Sequence, residues 1–154
     1  MKDYKSALES KQKDLEITLK LFGEHHSDTA ASYNNIGITQ DDMKDYKSAL
    51  ESHQHALQIR LKLFGEDHSD TAGSYYNIAA TRYDMKHYKS ALESYQRALQ
   101  IRLKLHGECD SDTVESYRAI GVIQRALKNY KAALKLHRYV VQTRLNKAAR
   151  GVLP

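Results

Sequence analysis

Between Tyr46 and Phe64 the water-avoiding side chains return at three- and four-residue steps: Tyr46, Ala49, Leu50, Ala56, Leu57 and Phe64, with His53 and Arg60 completing the stripe. Such spacing puts them on one face of an amphipathic helix. The stripe ends at Gly65, and glycine is the residue best able to take the left-handed conformation that closes a helix. A shorter stripe follows, with Ala72, Tyr75, Ile78, Ala79 and Arg82 on its inner face. Ahead of it stand Ser69, Asp70 and Thr71, any of which can accept from the unpaired N–H groups of a helix start. In a later copy of this segment Asp112 and Glu115 also have capping-box spacing.

This long-and-short couplet recurs with a period of 42 residues. Tyr4–Ser10 returns as Tyr46–Ser52, as Tyr88–Ser94 and, degraded, as Tyr130–Leu136; Phe22–Thr29 returns as Phe64–Thr71 and His106–Thr113. Units this alike stack, each covering its neighbour's apolar face. The phasing predicts short A helices near 28–43, 70–85 and 112–127, and long B helices near 3–22, 45–64, 87–106 and 129–145. The order is B-A-B-A-B-A-B in one array over 1–154: a half repeat (1–26), then repeats at 27–68, 69–110 and 111–154, the last with a C-terminal tail. Gly37, Ala79 and Gly121 on the short helices, with Ala49, Ala91 and Ala133 on the long ones, allow close approach of each pair.

Composition narrows the class. With 154 residues, 41% of them apolar and 28% charged, the chain has enough to build a core. One proline and seven glycines disfavour a turn-rich β fold. No stretch approaches the roughly 18 apolar residues of a membrane span, and the start Met1–Lys5 lacks the apolar run of a signal peptide. The single Cys109 excludes an intrachain disulfide and a multi-cysteine metal site. The expectation is a soluble, reduced, cytoplasmic helical protein with no cofactor.

Chemistry is sparse. His25-His26 with Asp28, His53 with His55, and His68 with Asp70 each offer two ligands, but none shows an i, i+4 histidine pair or a converging third ligand. His53 and His137 occupy a position that Tyr95 fills in the repeat between them, so they read as ring-shaped packing residues. There is no phosphate-cradling glycine loop and no Gly-x-Ser-x-Gly elbow, so no enzyme is expected. Charge is uneven: residues 1–86 hold 11 basic and 14 acidic side chains, residues 87–154 hold 13 and 5, and none beyond Glu115 is acidic. A one-signed surface attracts acidic peptides, phosphate or RNA; it serves equally as a solvated end helix, or to face the acidic end of another copy.

The couplets resemble the tetratricopeptide repeat (TPR) family. The pattern is carried by Tyr33-x-x-Ile36-Gly37, then Tyr46-x-x-Ala49 and His53-x-x-Ala56, and again by Tyr75/Ile78/Ala79/Tyr88/Ala91/Tyr95/Ala98 and Tyr117/Ile120/Gly121/Tyr130/Ala133/His137/Val140. The long period is similar to that of kinesin light chains and nephrocystin-like proteins. Two departures bear on turn geometry: Lys44, Lys86 and Lys128 replace the usual inter-helix glycine, and the usual proline after the second helix is absent.

The resemblance implies a right-handed α-solenoid whose A helices line a concave groove for an extended peptide. It places Asn34, Asn35 and Ile38 of the first unit in that groove, with Tyr76, Asn77, Ala80 and Tyr83 of the second and Arg118, Val122 and Arg125 of the third. Asn35 and Asn77 match the asparagine that holds a peptide backbone, a task suited to an amide that donates and accepts. Tyr76 and Tyr83 supply aromatic surface, and Arg118 and Arg125 can fork onto a carboxylate. A clamp for a chaperone's C-terminal carboxylate is disfavoured, since Asn34 stands where lysine is needed.

The expected role is a non-enzymatic scaffold or adaptor for a protein or acidic peptide segment, with no membrane partner. The competing reading is a structural module that self-associates through its end helices. Lys11 and Asp14 partly polarise the first of these, where later units have His53/Tyr95 and Ala56/Ala98; Leu136, Tyr139, Val140 and Val141 leave the last one apolar. Nucleic acid is the weakest reading.

Overall fold

The computed structural model describes residues 3–149 and 151; Met1 and Lys2 of the half repeat, Arg150 of the basic run and residues 152–154 lie outside them. The described residues form helices alone: α1 (Tyr4–Phe22), α2 (Ser27–Asp42), α3 (Tyr46–Phe64), α4 (Ser69–Asp84), α5 (Tyr88–His106), α6 (Ser111–Ala126) and α7 (Tyr130–Ala149). Long and short rods alternate as the periodicity predicts. Only α7 runs on past its expected end near residue 145, through Lys147, Ala148 and Ala149, which are good helix formers.

The helix ends correct the sequence reading in detail. Gly23, Gly65 and Gly107 do close the long helices, with φ of 81°, 79° and 77°, but ψ lies at −177°, −173° and −176°. That is an extended mirror-image region open essentially to glycine alone, not the left-handed helical one. Ser69, Asp70 and Thr71 lie inside α4, and the cap is His68, whose Nδ1 accepts from Asp70 N at 3.1 Å. His26 does the same for α2 at 3.2 Å. The threonine is spent elsewhere: Thr71 Oγ1 donates to Gly65 O at 2.8 Å, as Thr29 does to Gly23 O at 2.7 Å, locking each short helix to the end of the preceding long one. The cap of α6 is Asp110, which accepts from Asp112 N and Thr113 N, so Asp112 and Glu115 form no capping box.

The turns without glycine adopt the glycine conformation nonetheless. Lys44, Lys86 and Lys128 have φ of 63°, 62° and 61°. Around Lys44, Asp45 N donates to Gln40 O at 2.9 Å and Lys44 N to Asp41 O at 2.9 Å, which is the Schellman closure. The same pair of bonds recurs around Lys86 and Lys128.

Each short helix packs between two long ones. Ala30, Ala49, Ala56, Ala72, Ala79, Ala91 and Ala98 have no exposed surface, so backbones meet closely along the array. In the second unit Ala79, Ala91 and Tyr95 close over Ala119, Ile120 and Ile123 of α6. The arginine of the sequence stripe is built in rather than solvated: Arg102 is 9% exposed, and its Nη1 donates to Asp112 O at 2.9 Å and Ser116 Oγ at 2.8 Å. Arg60 repeats the motif with Asp70 O at 3.2 Å and Ser74 Oγ at 2.8 Å. The far end of the stripe is looser, for Phe64 stays 39% exposed and stacks on His68 at 4.3 Å. At the N-terminal end α1 has no buried residue; Lys11 covers α2 instead, donating to Thr39 Oγ1 at 2.6 Å and Asn35 O at 3.1 Å.

Candidate peptide-binding groove

Three short helices form one face because each is tied to the next by side-chain hydrogen bonds. Between α2 and α4, Asn77 Nδ2 donates to Asn34 Oδ1 at 2.8 Å and Thr81 Oγ1 donates to Asp41 Oδ2 at 2.9 Å. Between α4 and α6, Tyr76 OH donates to Glu115 Oε1 at 3.0 Å. The loop aspartate Asp67 pairs with Lys104, tying the end of α3 to α5 on the other side of the array.

These seams divide the ten groove residues expected from sequence. Asn35 and Ile38 are exposed on α2, Ile38 by 43%, and Ala80 lies half-buried on α4 in the position of Ile38. Asn34 and Asn77 are brought together, but by each other's amides. Tyr76 is drawn into the stack: its ring and that of Tyr95 meet edge-on at 4.9 Å, Arg102 lies over the Tyr76 ring at 4.7 Å, and burial, with the Glu115 carboxylate beside it, pushes its phenol pKa up to about 12. Tyr83 packs against Tyr88 at 5.5 Å.

Arg118, Val122 and Arg125 stand on the last short helix. Arg118 forks onto a carboxylate within its own helix, Glu115, with Nε donating at 2.7 Å. The hydrogen bonds from Arg118, more than anything else, hold the Glu115 carboxyl below the usual range, and the same pair raises the Arg118 guanidinium pKa. Arg125 is exposed.

Two polar residues beside those ten shape this face. Asp41 accepts from Thr81 and from Nε2 of His53 at 3.1 Å, and His53 itself has no exposed surface. Glu115 bridges Tyr76 and Arg118. The bonds to Thr81 and Tyr76 each span about one repeat in sequence, and no local pattern signals such contacts. Cys109 is exposed in its loop. Among the described residues no three His, Cys, Asp or Glu side chains converge as metal ligands would, and no helix is long and apolar enough to cross a membrane.

The family model described as tetratricopeptide repeat matches residues 1–62, 42–104 and 70–143. Among solved structures the chain is similar to BtubC (BKLC) from P. vanneervenii, with TM-score 0.87 and 24% identity over 98% of this chain and 59% of that one. It is similar to a Podosopora anserina kinesin light chain-like protein of nearly identical TPR-like repeats, with TM-score 0.81 and 16% identity, covering 95% of this chain and 69% of that one. MamA protein follows at TM-score 0.67 and 18% identity, over 95% and 67% respectively. At these identities the likeness is one of fold, and the chain spans 59% of the length of BtubC. No curated protein matches the sequence.

Proposed function

The chain belongs to the tetratricopeptide repeat family, and on that premise we propose that it is a non-catalytic interaction scaffold whose three short helices hold an extended segment of a partner protein. The observation that supports this is the bonded seam between successive short helices, Asn34 to Asn77, Asp41 to Thr81 and Tyr76 to Glu115. It makes their outer faces one preorganised surface, which lowers the ordering cost of binding. On that surface the exposed amide of Asn35 can donate to and accept from a peptide backbone, and Ile38 offers an apolar contact. Toward α6 the charge turns basic, so the segment carries acidic residues at that end.

A peptide array probed with the wild-type chain and with an Asn35→Ala/Ile38→Ala double variant tests the reading. Both side chains are exposed, so the variant keeps the fold. Capture of a set of extended peptides, lost in the variant, is the expected result. An array with no captured peptide, or the same set captured by both proteins, sinks the proposal. The self-associating alternative rests on Ile17, Leu21 and Phe22 of α1, which are 55%, 69% and 51% exposed; light scattering of the same samples reads it directly.

A further inference from the structure

The seats that receive α4 and α6 recur a third time. α6 docks in a cleft of α4 and α5 walled by Tyr76, Ala79, Tyr83, Tyr88, Leu92 and Tyr95. One repeat further on, α6 and α7 frame a cleft of about 500 Å³ lined by Arg118, Val122, Arg125, Tyr130, Leu134 and His137. Where the earlier seats hold a helix, Tyr88 and Leu92 are half-buried and Tyr95 is 6% exposed. Here Tyr130 and Leu134 are 64% and 51% exposed, and His137 is exposed as well.

We propose that this C-terminal cleft binds an acidic amphipathic helix supplied by a partner, seated as α4 and α6 are seated within the chain. The two internal seams define what such a helix must carry. Against the seats already filled, the incoming helix uses its Glu115 position to reach Tyr76 and its Thr81 position, which is Ile123 in α6, to reach Asp41. In the third seat the residues at the Tyr76 and Asp41 positions are Arg118 and Arg125. Both are donors only; Arg118 spends Nε and Nη2 on Glu115 of its own helix and keeps further N–H groups, and Arg125 is exposed, so acceptors on the incoming helix suit both. Two carboxylates eight residues apart meet that demand, separated by the small-apolar pair found at Ala119 and Ile120. The charge agrees: no acidic side chain follows Glu115 in the sequence, and the charged residues of the cleft lining are Arg118 and Arg125. The partner is thus a helix rather than an extended strand; its cleft shares Arg118, Val122 and Arg125 with the α6 end of the groove but not Asn35 or Ile38.

The probe is a capped, fluorescein-labelled synthetic peptide of the α6 sequence Ser111–Ala126 carrying Arg118→Ala and Ile123→Glu, titrated by anisotropy with the full chain. Saturable binding is expected, weakened roughly tenfold or more by Leu134→Lys and by Arg125→Glu in the chain and unchanged by Asn35→Ala. The peptide with Glu115→Lys and Ile123→Lys should not bind. Both chain substitutions are at exposed positions, and circular dichroism checks that each variant is folded. Absence of saturable binding, or binding indifferent to Leu134→Lys, overturns the proposal. So does a wild-type dimer in sedimentation equilibrium that Leu134→Lys converts to monomer, since a second copy would then be the occupant. Loss of peptide capture in the array leaves this result untouched, so the two proposals fail separately.

Discussion

The imidazole of His53 lies flat against the backbone of Gly37: a Cβ built on Gly37 would stand 2.6 Å from His53 Cε1. The ring cannot retreat, because it is fully buried and held by Asp41. Gly37→Ala should therefore destabilise the chain by about 1–3 kcal/mol in urea unfolding, the usual cost of overpacking. At the matching Gly121 the nearest atom to such a Cβ is Leu136 Cβ at 3.6 Å, an ordinary contact. There Gly121→Ala should stabilise by about 0.5–1 kcal/mol through helix propensity. Equal effects at the two glycines would contradict the close approach of His53.

The three lysines at positive φ make an opposite prediction. A side chain in the left-handed region costs about 1–2 kcal/mol, partly offset on mutation by the greater freedom that glycine gives the unfolded chain. Lys44→Gly, Lys86→Gly and Lys128→Gly should each stabilise by about 0.5–1 kcal/mol. The sites are far apart, so the triple variant should show near-additive gains in thermal melts.

Arg102 and Arg144 occupy the same place in successive repeats, but only Arg102 is buried, where it bonds Asp112 O and Ser116 Oγ. Truncation takes the arginine donor from both, leaving Asp112 O with the Ser116 hydroxyl and Ser116 Oγ with no side-chain donor. Arg102→Ala should cost about 2–3 kcal/mol, while Arg144→Ala should stay within about 0.5 kcal/mol. Chemical denaturation of the two variants side by side provides the check.

The Glu115 carboxyl titrates below its ordinary value in the folded chain, chiefly through the hydrogen bonds from Arg118. A depressed folded pKa stabilises the native state above the unfolded pKa and is lost as pH falls through the folded one. Glu115→Gln should therefore melt below wild type at neutral pH, with the difference shrinking as the acid is approached. Melts between about pH 3 and 7 measure it; a gap that widens toward acid would contradict the assigned sign.

The fold was legible because its information is periodic. Apolar spacing located the helices, and the 42-residue repeat located their neighbours. What periodicity hides is which atom a residue spends where. His68 capping α4 was missed because Ser69, Asp70 and Thr71 follow it, and nothing local shows that Thr71 is committed to Gly65 O. The candidate groove was legible only as a set of helix faces. Asn34, Asn77 and Tyr76 also serve the seams, through two bonds that join residues 43 and 39 positions apart. Helical phase says that a side chain points away from its own partner helix, but not whether solvent or the next repeat waits there.

Near-identical units create a hazard during folding, because a helix can settle in the berth meant for its neighbour. The bonded pairs between short helices guard against this, since no two are chemically alike: amide with amide and hydroxyl with carboxylate at one junction, phenol with carboxylate at the next. A misplaced α6 would bring Ala119 and Ile123 to the amide of Asn34 and the carboxylate of Asp41, taking from the amide its partner and leaving the carboxylate with His53 alone, at a cost of about 1–3 kcal/mol. The order of the modules is thereby written into their joints, as an assembly key rather than as added strength.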